Sequence, residues 1–225
     1  MTLASPTKKE AIWIACREKT CCYAPVVIPG GHDIWRISRS LLVQPTSFLV
    51  YFRTGQPRRD AFHLDHSGRE FRLALAKGPT RRTKTAPPCV FLMKTRDGSH
   101  RCSLGDLRPA VCRTFPAEVV DGVVCVRPDA GCACRGWNLS DMDLDEEWSD
   151  LTERQSDLET YCAIVDKWNA LVADAPSGAL FMFEQFCQHV LQEYDAREQS
   201  SNAGTASNGL LPPAAAEGSH AQDGR

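Results

Sequence analysis

Eleven cysteines in 225 residues constrain this chain more than any other feature of its sequence. Nine of them lie before residue 135, in three groups, where short loops and hairpin ends can direct several sulfur atoms to one centre. Thiolates are soft ligands with high affinity for zinc and iron–sulfur units. The sequence therefore predicts a metal site with eight cysteine ligands: Cys16, Cys21, Cys22, Cys89, Cys102, Cys112, Cys132 and Cys134.

The rest of the sequence predicts a soluble, cytoplasmic protein. The first residues lack a basic segment followed by a long apolar run, so no secretory signal is visible. The densest apolar stretch, Phe48 to Phe52, is far shorter than the roughly 20 residues that span a bilayer. In a reducing compartment, cysteines serve as metal ligands or catalytic groups more often than as disulfides. The net charge of −2 argues against a nucleic-acid partner.

The amino-terminal half predicts an α+β fold with helices first and short strands after them. A Thr7–Glu10 capping box predicts a helix over residues 8–16. A second helix, stopped by Pro45, places four apolar side chains on one face, and Phe48 to Phe52 forms a short helix or an extended piece. The apolar face consists of Ile34, Ile37, Leu41 and Leu42.

Several short strands follow. Residues 62–64 and 71–75 have the composition of strands, separated by a loop that contains Gly68, and residues 77–84 are expected to form a basic, solvated loop. Two Asp-Gly pairs predict β-hairpins. The first joins residues 90–93 to 101–104, and the second joins residues 118–120 to 123–126. Residues 108–113 between the hairpins predict one helical turn closed by Pro116.

From residue 140 the spacing of apolar residues predicts an antiparallel pair of helices. Cys162 and Cys187 lie on the apolar stripes and are expected in the core, whereas Cys125 suits either a strand core or a ligand. One domain over residues 1–198 is predicted, with a cysteine-rich core at 16–136, a helical pair at about 140–198 and a disordered tail at 199–225. The first stripe is Leu144, Trp148, Leu151, Leu158, Cys162, Val165 and Val172; the second is Phe183, Cys187, Val190 and Tyr194.

The cysteine pattern resembles that of the YkgJ-type cysteine-cluster family. The matching segments are Cys16-x4-Cys21-Cys22, Asp33-Ile34, residues 89–92, residues 101–104 and the Arg-Pro-x-x-Cys-Arg-x-x-Pro stretch from Arg108 to Pro116. The resemblance covers roughly residues 16–136, with Cys134 as an extra cysteine. It implies a domain that chelates zinc or iron. Flagellin lysine N-methylases carry a related domain, so the resemblance also leaves a protein-modifying enzyme open.

The kind of metal follows less directly from the spacing. The chain has no Cys-x2-Cys knuckle, and the adjacent pair Cys21-Cys22 suits a cluster better than one tetrahedral zinc ion. Arg108 and Arg113 flank Cys112 and are cofactor-binding candidates, because a guanidinium offsets thiolate charge; a surface ion pair is the alternative. These features favour an iron–sulfur cluster over zinc, although eight cysteines also suffice for two zinc sites. His100 is the strongest candidate for a non-cysteine ligand.

The sequence thus predicts a protein that binds a metal ion or cluster through cysteine. Two alternatives stay open, a lysine N-methyltransferase and a purely structural zinc module. No glycine-rich nucleotide loop supports the enzyme, and whether the chain is an enzyme is left undecided. A protein partner also stays open.

Overall fold

A computed structural model describes residues 20–24, 26–78, 87–128, 140 and 142–207 of the chain. The helices of these described residues are α1 (Thr20–Tyr23), α2 (Gly31–Leu41), α3 (Ala110–Arg113), α4 (Leu144–Asp174) and α5 (Phe183–Ser207). The strands in the same part of the chain are β1 (Leu49–Arg53), β2 (Phe71–Leu75), β3 (Leu92–Lys94), β4 (His100–Cys102), β5 (Ala117–Val120) and β6 (Val123–Val126). Single 3₁₀ turns lie at Pro45–Ser47 and Gly105–Leu107. The predicted helix over residues 8–16 lies outside the described residues.

The strands form three separate antiparallel pairs, β1–β2, β3–β4 and β5–β6. The last two are the hairpins that the Asp-Gly pairs predict. Gly98 and Gly122 have φ values of +83° and +76°, which a glycine adopts without steric cost. Helices combined with small antiparallel strand pairs confirm the α+β class.

The first strand pair differs from the prediction. Residues 62–64 do not form a strand, because β1 supplies the partner of β2, in a register that sets Tyr51 opposite Leu73. Phe62 makes only an isolated bridge to Phe71. The sequence of residues 48–52 is equally compatible with a helix and a strand, and its contact with β2 decides the outcome.

The main hydrophobic core lies between these strands and the helices α2, α4 and α5. Phe62 and Phe186 stack at its centre with ring centroids 3.9 Å apart, and Trp168 packs edge-on against Phe186. A smaller cluster of Ala117, Val124, Met142 and Leu151 joins the β5–β6 hairpin to α4.

Helix α2 buries Ile34 and Ile37 as predicted, but Leu41 and Leu42 are exposed. The helix ends at Leu41, and Leu42 adopts a left-handed conformation that turns its side chain into solvent, where it is 91% exposed. The predicted four-residue stripe is therefore wrong in its second half.

Helix α4 also buries fewer of the predicted residues than its spacing indicates. Leu144, Trp148 and Leu158 are exposed. The described residues cover the first half of this 31-residue helix only lightly, through the small cluster around Leu151. The other four predicted residues are buried: Leu151, Cys162, Val165 and Val172.

Helix α5 continues to Ser207, past the predicted end near residue 198, and residues 208–225 lie outside the described part of the chain. Among the described residues, no helix is both long enough and apolar enough to cross a membrane.

Candidate functional site

Five of the eight predicted ligands lie in the described part of the chain, and the fold brings them together. Cys21 and Cys22 belong to α1. Cys89 lies between β2 and β3, Cys102 is the last residue of β4, and Cys112 lies in α3. The thiol of Cys112 interacts electrostatically with those of Cys21, Cys102 and Cys89, and Cys22 is hydrogen-bonded to Cys21. We call these five residues the thiol cluster. The other three, Cys16, Cys132 and Cys134, lie outside the described residues.

The thiols raise one another's pKa values. A hydrogen bond with Cys21, then burial, then the charges of Cys21, Cys112 and Cys102 raise the pKa of Cys22 far above its usual range. Burial is the main cause that raises the pKa of Cys112, and the charges of the neighbouring thiols and of Asp33 raise it further. Deprotonating several of these groups at once therefore requires a compensating positive charge.

Two cationic side chains lie beside the thiol cluster. Burial raises the pKa of Cys89 and of Cys102, while Lys77 opposes the shift at Cys89 and Arg108 opposes it at Cys102. Lys77 also pairs with Cys89 in an isolated bridge, and its ammonium group donates to the carbonyl oxygen of Ala24. The sequence predicts that Lys77 begins a solvated loop. This prediction is wrong for Lys77, because its side chain contacts Ala24. No periodicity marks it as a neighbour of Cys89.

The two predicted arginines have different surroundings. The charge of Arg108 acts on Cys102, as expected of a group that offsets thiolate charge. The guanidinium of Arg113 instead lies 3.8 Å from Glu153 and 4.0 Å from Asp150, both in α4. These contacts favour the alternative interpretation of Arg113, an ion pair, over a role beside the thiols.

Each part of the thiol cluster has its own backbone anchor. The N–H of Cys89 donates to the carbonyl oxygen of Cys22 at 2.7 Å, which ties α1 to the start of the first hairpin. Cys102 is fixed by the register of β3 and β4, in which it lies opposite Leu92. Cys112 lies in a single turn whose first residue, Ala110, donates its N–H to a carboxylate oxygen of Asp33 at 2.8 Å.

The other three cysteines of the described residues lie outside the thiol cluster. Cys162 and Cys187 are 3% and 2% exposed in the main core, which confirms their predicted burial. Cys125 is half-buried in β6, opposite Glu118. His100 begins β4 and is likewise half-buried.

The thiol cluster has the right donor chemistry for a soft metal, but its sulfur atoms are not in a coordination geometry. In residues 20–24, 26–78, 87–128, 140 and 142–207, no three His, Cys, Asp or Glu side chains are arranged to hold a metal ion. The anchors fix the backbone of the cysteines and leave the direction of each side chain adjustable.

Comparison with known proteins adds no relative, because no protein-family model, no curated protein and no solved structure matches this chain. The resemblance to the YkgJ-type family therefore rests on the cysteine motifs alone and stays a prediction.

Proposed function

We propose that this chain binds a metal centre through cysteine thiolates, with the thiol cluster supplying most of the ligands. The observation that supports this most strongly is the mutual interaction of thiols drawn from residues 21, 22, 89, 102 and 112. These cysteines come from four separate segments of the chain, and thiolates brought together in this way are typical ligands of a soft metal ion or cluster. Cys16, Cys132 and Cys134 remain candidate ligands on the sequence pattern.

An iron–sulfur cluster is favoured over a single zinc ion. One tetrahedral zinc holds four sulfur atoms at about 2.3 Å, and the adjacent thiols of Cys21 and Cys22 suit the separated corners of a cluster better. Lys77 and Arg108 provide positive charge beside Cys89 and Cys102, which suits a centre that carries several thiolates. When bound, such a cluster supplies one-electron redox chemistry, whereas zinc would act as a cross-link.

The surrounding fold is proposed as a support for this centre. Contacts of Asp157 with Tyr194 and of Trp168 with Phe186 run in opposite chain directions along α4 and α5, which supports the predicted antiparallel helical pair. This pair packs on α2, and α2 in turn contacts the segment that carries Cys112.

The test is anaerobic purification followed by an absorption spectrum and by iron, sulfide and zinc analysis. We expect brown protein with a broad band near about 400 nm, and stoichiometric iron and sulfide, because thiolate-bound clusters absorb there. Cys102→Ser and Cys112→Ser should each lose metal. Cys162→Ala is the matched control and should keep it.

Colourless wild-type protein with stoichiometric zinc would keep the proposal and change the metal. Folded wild-type protein that contains no metal, and takes up none on anaerobic reconstitution, would overturn it.

A further inference from the structure

The turn that carries Cys112 depends on a carboxylate from a distant part of the chain. Helix α3 has only four residues, and its first N–H, that of Ala110, has no partner within the helix. Asp33 of α2 accepts this N–H through Oδ2 at 2.8 Å. The N–H of Cys112 donates to the carbonyl oxygen of Pro109 at 2.8 Å. Because Pro109 directly precedes Ala110, the hydrogen bond that holds Ala110 also restrains the position of Cys112.

Asp33 is unusual for an aspartate because only 3% of it is exposed. Its Oδ2 also accepts the N–H of Gly30 at 3.3 Å, and its Oδ1 lies 3.2 Å from Nη2 of Arg36. Three donors therefore converge on this carboxylate. Capping the first turn of α2 requires only the hydrogen bond from the N–H of Gly30. The hydrogen bond from Ala110 therefore needs a separate explanation.

Arg36 extends the same connection. Its Nη1 donates to the carbonyl oxygen of Asp106 at 3.1 Å, and its Nη2 donates to that of Arg108 at 3.0 Å. Together the Asp33–Arg36 pair contacts three backbone groups between residues 106 and 110. This segment links Cys102 to Cys112, and it contains Pro109, which has no N–H of its own to donate.

We propose that Asp33 is a positioning residue for the metal centre, which with Arg36 sets the backbone of the Cys102–Cys112 segment so that Cys112 can reach the metal. This inference rests on the proposed function. Hydrogen-bonded residues behind metal ligands typically change metal affinity by about 10–100-fold when substituted.

Asp157 offers a matched control. It also binds the first turn of α2, where its Oδ1 accepts the N–H of His32 at 3.0 Å and the hydroxyl of Tyr194 at 2.5 Å. None of its hydrogen bonds among the described residues reaches the 106–113 segment. Asp157→Asn therefore perturbs the same helix end without disturbing the anchor of Cys112.

The experiment is a titration of metal-free, reduced full-length protein with cobalt(II) alone, read by the sulfur-to-cobalt charge-transfer band, whose intensity rises with the number of thiolate ligands. Asp33→Asn replaces one carboxylate oxygen with an NH2 donor. In one orientation of the amide this donor faces Arg36, and in the other it faces the N–H groups of Gly30 and Ala110, so an acceptor is lost in either case. We expect it to bind cobalt about 10–100-fold more weakly. Its charge-transfer intensity should fall to that of Cys112→Ser, while Asp157→Asn keeps the wild-type spectrum.

Arg36→Gln serves as a second variant in case Asp33→Asn does not fold. Its side chain is partly exposed, and we expect weaker cobalt binding because the contacts to Asp106 and Arg108 are lost. Urea unfolding of every metal-free variant separates this effect from a general loss of stability. Wild-type affinity and spectrum in folded Asp33→Asn or Arg36→Gln would overturn the inference. Absence of a thiolate band in wild type would overturn the proposed function as well, so the two failures are distinguishable.

Discussion

At the scale of single residues, two adjacent glycines determine where helix α2 can begin. A Cβ atom at Gly31 would lie 2.5 Å from the hydroxyl oxygen of Tyr194 and 2.7 Å from Cδ2 of Tyr161. A Cβ at Gly30 would collide with the carboxylate of Asp157. Gly30 has a φ of −70°, so the requirement at that position is space and not an unusual backbone conformation.

We therefore predict that Gly31→Ala lowers the free energy of unfolding by about 1–3 kcal/mol, the usual result of overpacking a core. Urea denaturation measures the change. Gly55→Ala is the control, because a Cβ at Gly55 meets nothing within 4 Å, and it should stay within about 0.5 kcal/mol of wild type. Equal effects of the two substitutions would contradict the steric argument.

Cys187 gives a pH-dependent prediction at the same scale. Burial, with a smaller contribution from Glu184, raises the pKa of its thiol from 9.0 to about 12. Between these values the unfolded chain loses the thiol proton while the native protein keeps it, so stability must fall as the pH rises. Cys187→Ala should make the loss of stability between pH 9 and pH 12 less steep, with bound metal unchanged.

The matched control for Cys187→Ala is Val190→Ala, which removes a buried side chain from the same helix but no titrating group. Its stability should be lower at every pH and keep the wild-type slope. Urea unfolding at several pH values separates the two behaviours, and parallel curves for all three proteins would refute the prediction.

At the scale of secondary-structure elements, helix α4 supports the loop that leads into β2. The side chain of Asn169 accepts the N–H of His63 at 2.9 Å and donates to the carbonyl oxygen of Ala61 at 3.0 Å. The indole N–H of Trp168 donates to the carbonyl oxygen of His63 at 2.7 Å. These bonds hold Phe62, the central ring of the core, against the helix.

Asn169→Ala should cost about 1–3 kcal/mol of stability, because it leaves an N–H and a carbonyl group of a partly buried loop without their partners. Thermal or urea unfolding provides the measurement. The exposed neighbour Asp166 supplies the comparison, since Asp166→Ala should have little effect. The idea fails if Asn169→Ala is as stable as Asp166→Ala.

The sequence was a good guide to elements whose signals are local. The Asp-Gly turns predict both hairpins because the turn conformation requires a glycine at φ > 0. The pairing of β1 with β2 depends on contacts between segments about 20 residues apart, and no turn motif predicts this pairing. The exposed Trp148 and Leu158 show why a helical stripe alone does not predict burial, because burial also needs a partner surface.

At the scale of the whole molecule, the candidate site is only partly visible in the sequence. Cysteine spacing indicates that Cys21, Cys22, Cys89, Cys102 and Cys112 belong together, because few other roles explain so many thiols. Asp33 and Lys77 are typical helix and loop residues by their local pattern. Their contacts with the thiol-bearing segments exist only in the assembled fold.

The proposed metal centre predicts that removal of its metal destabilises the whole protein. A ligand that binds only the native state at 100 times its Kd adds about 2.7 kcal/mol of stability. We expect a chelator to lower the urea midpoint of wild type and to leave that of Cys112→Ser nearly unchanged. A wild-type midpoint that does not respond to complete metal removal, confirmed by elemental analysis, would argue against a centre that joins these elements.

The contacts of helix α2 also bear on how the protein is made. Its first turn is held by Asp157 and Tyr194, and Asp195 accepts hydrogen bonds from Trp35 and Arg39, so α2 needs both α4 and α5. A ribosome adds roughly 5–20 residues per second, and several seconds therefore separate the synthesis of Cys112 from that of Asp195. During this interval α2, whose Asp33 anchors the turn that carries Cys112, lacks its final supports. We expect metal insertion to follow the synthesis of α5.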